Sequence, residues 1–267
     1  LAARSPGRPI VGGMASADPH QRRAWIFFDD QVYDEGGVAL AIGGPYRLHP
    51  LVAQGAEPIG ESWTITEVDR NTVLAISNRP ATAVMQATLD GLPAASRQRV
   101  GRNLLVGFAA DEYQDEFHRG DFLVRGVLGV DHERGGIVVG GLPRVGQTIH
   151  FHLRDASTAD VDLHQGLAEI KATIGGCQPV AGVLWTCNGR GQGLFGGRHH
   201  DAAAIQAAFG SLPLAGVLSN GEIGPVGGHP YLHGFTATLA LLVHEAEDGA
   251  GTPDPIDVSG EETRIRP

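Results

Sequence analysis

Between residues 61 and 68 apolar and polar side chains alternate. Trp63, Ile65 and Glu67 share one face and Ser62, Thr64 and Thr66 the other, before Asp69-Arg70-Asn71 turns the chain into 72–76. A period of two marks a half-buried strand, so this stretch predicts a β-hairpin. The run WIFFD at 25–29 is of the same β type. Residues 37–42 and 47–52 read as another hairpin, broken at Gly43-Gly44-Pro45. Residues 24–76 therefore predict an antiparallel meander.

Pro80 suits a helix start, the Ala-, Met- and Leu-rich 81–89 follow, and Gly91 stops the helix. A second helix is expected over 96–103, then strands over 104–109, 122–130 and 136–139, the last two joined by a turn at His132-Glu133-Arg134-Gly135. Alternation returns at 148–153, with Ile149, Phe151 and Leu153 expected inside and His150, His152 and Arg154 outside. The strongest helical pattern runs over 157–174, with Val161, Leu163, Leu167 and Ile170 as its apolar positions and Gly175-Gly176 as its stop. A strand at 183–186, a helix at 200–209 and strands at 214–218 and 235–243 complete the pattern. The expected fold class is α+β, with mostly antiparallel β-sheets and flanking helices.

Composition narrows the partners. The 267 residues carry a formal net charge of −10, which argues against nucleic acid and anionic membranes. The best apolar run, 236–243, is strand-length and far short of the roughly 18 residues of a membrane span. The chain opens on Leu1 rather than Met, which reads as a fragment, and shows no signal-peptide pattern. Its two cysteines, Cys177 and Cys187, are therefore expected as free thiols in the cytoplasm. Residues 247–267 are rich in Pro, Gly and acids and read as a flexible acidic tail.

The candidate chemistry lies in two glycine-rich polar loops, Cys187-Asn188-Gly189-Arg190-Gly191 and Ser219-Asn220-Gly221-Glu222-Ile223-Gly224-Pro225. If the strands before them are neighbours, Asn188, Arg190, Asn220 and Glu222 converge. Arg190 could fork onto a ligand carboxylate and Glu222 take a ligand ammonium, or the two could pair with each other. Arg125, with Asp131, carries the same ambiguity on the 122–131 strand. Cys187 could act as a nucleophile beside a histidine, with Arg190 favouring the thiolate; the alternative is a small buried residue at a strand end. Residues 191–196 match G-x-G-x-x-G, yet the next helix is expected only near Asp201, too far on to meet a pyrophosphate. His150 with His152, and His199 with His200, lack compact ligand spacing, so no metal and no cofactor are expected.

Several stretches resemble the FIST family, named for F-box and intracellular signal transduction proteins. They are Phe122–Asp131, Cys187-Asn188-Gly189-Arg190-Gly191, Leu194-Phe195-Gly196, His200-Asp201, Pro213-Leu214-Ala215-Gly216, the block from Asn220 to Gly228, and Leu232-His233-Gly234-Phe235-Thr236. All are similar to the family's C-domain. Val11-Gly12-Gly13, 37–40, Gln54-Gly55 and Pro58-Ile59-Gly60 are similar to the last part of its N-domain. The resemblance divides the chain into an N-like part at 1–78, a C-like domain at 79–246 and the tail at 247–267. It implies a sensory domain of signal transduction that binds a small ligand, with amino acids as the ligand class and a signalling protein as a further partner. An enzyme using Cys187 and a protein-interaction scaffold are the rival expectations.

Overall fold

The computed structural model describes residues 7–17, 23–114 and 116–244; the expected tail lies outside them. The chain opens with β1 (Gly12–Gly13) and an arm bearing the hairpin β2 (Ile26–Phe28) and β3 (Gln31–Tyr33). β4 (Tyr46–Ala53), β5 (Glu57–Asp69), β6 (Thr72–Ile76) and β7 (Arg79–Pro80) lead to α1 (Ala81–Asp90) and α2 (Ala94–Val100). Next come β8 (Leu104–Ala109), β9 (Phe122–Asp131), β10 (Gly136–Val139) and β11 (Thr148–Leu153), then the longest helix, α3 (Ala156–Thr173). The last stretch holds β12 (Pro179–Cys187), α4 (Gln192–Phe195), α5 (His200–Phe209), β13 (Leu214–Ser219), β14 (Glu222–Val226), β15 (His229–His233) and β16 (Ala237–His244). The fold is α+β, with sheets that are almost wholly antiparallel.

Two cores organise it. β5, β6, β10, β9, β8 and β11 pair antiparallel in a closed ring, because β10 returns to β6 through Ile137–Val73 and Val138–Thr72. Closure leaves these strands without a free edge. The alternation read in the sequence sends Ile65, Ile149 and Phe151 inward, where they are buried with Val73 of β6 and with Ala81 and Val84 of α1. Each such side chain contributes roughly 1.5–3 kcal/mol relative to exposure.

The second core lies between a sheet of order β13-β12-β16-β4 and the helices α3 and α5. Leu163, Leu167 and Ile170 form the apolar stripe of α3, facing Leu51 of β4, Leu239 of β16 and Ile205 of α5. Asp155 starts α3 with a capping box: its carboxylate accepts from Thr158 N–H at 2.8 Å, while Thr158 Oγ1 accepts from Asp155 N–H at 2.9 Å. On the sheet's other face lies a small third sheet, β1-β14-β15. Glycine permits that contact, since a Cβ on Gly224 would stand 2.4 Å from Val52 Cγ2.

Several expectations are corrected. Residues 37–42 form no strand, and Leu40 there is 83% exposed, because no neighbouring strand pairs with them. The meander over 24–76 is confined to the β2–β3 and β5–β6 hairpins. β4 pairs instead with the distant β16, which lets Leu51 and Ala53 bury in the helix-backed core. The second polar loop is shorter than expected, since Glu222 already begins β14 in register with His233 of β15. Val161 is exposed: it stands two residues from Leu163, about 200° around the helix and so on the opposite face. His152 points out of the barrel but is buried, because Phe122 covers it at 5.3 Å between ring centroids. Among the described residues no helix is long and apolar enough to cross a membrane.

Candidate functional site

β12 and β13 run side by side in parallel register, with Cys187 opposite Ser219, so both polar loops do leave the same end of one sheet. The first loop then folds back on itself. Residues 188–190 form a 3₁₀ turn, α4 follows, and Gly196 and His199, both with left-handed backbone, reverse the chain into α5. The G-x-G-x-x-G stretch thus forms α4, a single turn of helix.

This reversal brings Asp201 onto Arg190, a side chain only 1% exposed. Arg190 donates through Nε to Asp201 Oδ2 and through Nη2 to Oδ1, both at 2.9 Å. Thr186 Oγ1 donates to Oδ2 at 2.7 Å, and His200 Nδ1 lies 3.0 Å from Oδ1. The other nitrogen of His200 lies 2.9 Å from Asp160 of α3, and its ring stacks on Phe195 at 3.6 Å. Burial alone would raise the Asp201 carboxyl, but hydrogen bonds and charge from Arg190, helped by His200 and Thr186, hold it below the usual carboxylate range. The third Arg190 nitrogen, Nη1, has no hydrogen-bond partner and abuts Gly55.

Beside this cluster opens a cleft of about 380 Å³. Leu184 and Leu214 form its apolar wall with the half-exposed Val217 and Leu218 of β13. Gln192, Arg198 and His199 line it as well, all three exposed. The N-terminus of α5 also borders it and has no side-chain cap. Among the described residues β13 pairs with a strand along one edge only, and its Leu218 carbonyl accepts from Ser16 Oγ at 2.7 Å.

Of the five residues expected to bind a ligand, Arg190 alone lines this cleft; His199 and His200, weighed in the sequence as metal ligands, line it too. Asn188 and Asn220 do meet: Asn188 Nδ2 donates to Asn220 Oδ1 at 2.5 Å and to Ser16 Oγ at 3.0 Å. Glu222 is fully buried and accepts from Ser219 Oγ at 2.9 Å and from Thr236 Oγ1 at 2.7 Å. Burial pushes its carboxyl up, which those hydrogen bonds and the nearby Arg190 charge only partly offset. Arg190 and Glu222 do not pair with each other; each is held by other residues. Arg125 donates to the Leu232 carbonyl at 3.0 Å and so ties β9 to β15. Cys187 Sγ accepts from Gly189 N–H at 3.4 Å, and among the described residues no histidine bonds to it. Cys177 and Cys187 are both free.

Sequence reading missed Asp201 as the partner of Arg190, and also Asp160, Arg198 and Arg154. Arg154 donates through Nη2 to the Gly189 carbonyl at 3.2 Å and lies 5.3 Å from the Phe235 ring centre. Burial, then the neighbouring Arg190 charge, lowers its pKa. The one available signal was local: a lone Asp opening an alanine-rich helix eleven residues after a loop arginine.

The family profile for the FIST N domain matches residues 1–79, and that for the FIST C domain matches residues 66–225. The chain belongs to the FIST family, whose domains are generally described as sensory, small-ligand-binding signalling domains. It is 39% identical over 238 residues to uncharacterized protein Rv0628c of Mycobacterium tuberculosis (strain ATCC 25618 / H37Rv), covering 89% of this chain and 62% of that protein. It is 37% identical over 242 residues to uncharacterized protein Mb0898c of Mycobacterium bovis (strain ATCC BAA-935 / AF2122/97), covering 91% of this chain and 62% of that protein. The chain thus spans about 62% of the length of these relatives.

Proposed function

We propose that this chain is a sensory module that binds a small ligand in the cleft between β13 and the turn from α4 to α5, acting in the cytoplasm and reporting to a signalling partner. The observation that carries this reading is the cleft itself: about 380 Å³, with an apolar wall and ionisable groups on one side. That volume falls at the lower end of small-molecule sites, which span roughly 300–1,000 Å³. The buried Arg190–Asp201–His200 cluster holds the turn in place, so the site is formed before a ligand arrives. Amino acids are the finer ligand class that the family resemblance suggests, and they belong in the first screen.

The test is thermal shift across a panel of amino acids and small organic acids, with the chain as it stands and with Leu218→Trp, which fills the cleft from a half-exposed position. A ligand at a hundred times its Kd stabilises the native state by about 2.7 kcal/mol, enough to raise Tm by a few degrees. The expected result is a shift with some compounds that Leu218→Trp removes. Shifts that survive Leu218→Trp, or no shift at all, would refute the cleft as the site.

A further inference from the structure

The cleft is unequal in charge. Five ionisable side chains line it: Arg190, Arg198, His199, His200 and Asp201. Three of them are already engaged with one another. Asp201, the single acid among them, has both oxygens occupied, Oδ1 by Arg190 Nη2 and His200 and Oδ2 by Arg190 Nε and Thr186. No other acid lines the cleft among the described residues: Asp160, half-exposed behind it, faces His200 and His164 through Oδ1, and Glu222 is buried beneath Ser219 and Thr236. Arg198 and His199 make no ion pair with any described residue. The groups left for a ligand are therefore a free guanidinium, a free imidazole and an apolar wall.

We infer that the cleft takes a small organic carboxylate that carries no ammonium beside its acid group, the carboxylate on Arg198 and a short apolar body against Leu184, Leu214 and Leu218. The inference rests on the cleft reading above and narrows its ligand class. A guanidinium matches a carboxylate in geometry as well as in charge. An α-ammonium would lie against the same apolar wall with no free carboxylate to meet it. The backbone carbonyls on the open edge of β13 are neutral acceptors, and they do not offset the desolvation of a full charge. An amino acid therefore binds more weakly here than the same skeleton without its amine.

Isothermal titration with 4-methylpentanoate, L-leucine and 4-methylpentanamide tests this. The three share one carbon skeleton and differ in the ammonium and the acid. The expected result is a Kd for 4-methylpentanoate at least tenfold below those of the other two, weakened at least tenfold by Arg198→Ala and abolished by Leu218→Trp. Arg198 is exposed, so its loss leaves the fold intact. Should Leu218→Trp fail to fold, Gln192→Trp blocks the cleft from an exposed position. Leucine or the amide binding as tightly as the acid, or Arg198→Ala leaving the acid unaffected, overturns the carboxylate inference while the cleft stands. Absence of binding by all three overturns the carboxylate inference and leaves the cleft to the panel above, whereas binding indifferent to the blocking variant overturns both readings.

Discussion

His152 makes the stability of this protein fall in mild acid. Its side chain is 3% exposed, wedged between Phe122 and the backbone of Gly107, where a Cβ would stand 2.4 Å from Nε2. Neither ring nitrogen makes a full hydrogen bond. Burial, then repulsion from His150, pushes its pKa from the ordinary 6.5 down to about 3, and a backbone contact at Ala56 offsets little of this. The folded state therefore holds the ring neutral at pH values where the unfolded chain protonates it. Stability from this group is complete above pH 6.5 and is lost as pH falls from there toward 3. At about 1.4 kcal/mol per pH unit, the whole window is worth about 5 kcal/mol, of which about 2 kcal/mol is lost by pH 5. His150 and His233 are lowered by burial too and act in the same direction, whereas Asp162 and Glu222, raised by burial, oppose it. The comparison that isolates His152 is His152→Leu, an apolar side chain of similar size. Urea unfolding at pH 7.5 and pH 5 should show the parent losing about 2 kcal/mol more than His152→Leu over that interval. Equal losses in the two proteins would refute a neutral, buried His152.

Other positions give sharper, local outcomes. Asp201→Ala leaves the buried Arg190 without its anion and should cost about 3–5 kcal/mol in denaturant unfolding, or leave the protein insoluble. Gly224→Ala forces a methyl onto Val52 and should cost about 1–3 kcal/mol, read as a lower Tm. Asp155→Ala removes the α3 cap and its pairing with Arg99, and should cost about 1 kcal/mol, read from the urea midpoint.

Local period made much of the fold readable. Ile65, Ile149 and Phe151 announced barrel strands through alternation, and Leu163, Leu167 and Ile170 announced α3 through a helical stripe. Which strands would meet was not readable, because β4 finds β16 across almost two hundred residues and β10 finds β6 across about sixty. β14 was hidden by its own Gly224 and Pro225, which look like loop residues but serve close packing between sheets. In the loops, the residue types of Arg190 and Glu222 promised chemistry, but their engagement depends on where the chain returns. His199, with φ of 62°, turns the chain so that Asp201 reaches Arg190; Gly196-Gly197 announces a turn there, but not where it sends the chain.

The ring of strands has a consequence for where the chain can be cut. The segments matching the two FIST profiles overlap at residues 66–79, which hold β6 and the end of β5, so the boundary between them falls inside the barrel. β4 of the N-matching segment meanwhile completes the helix-backed sheet. A cut at residue 79 would open the barrel between β6 and β10 and between β5 and β11, leaving unpaired strand edges on both pieces.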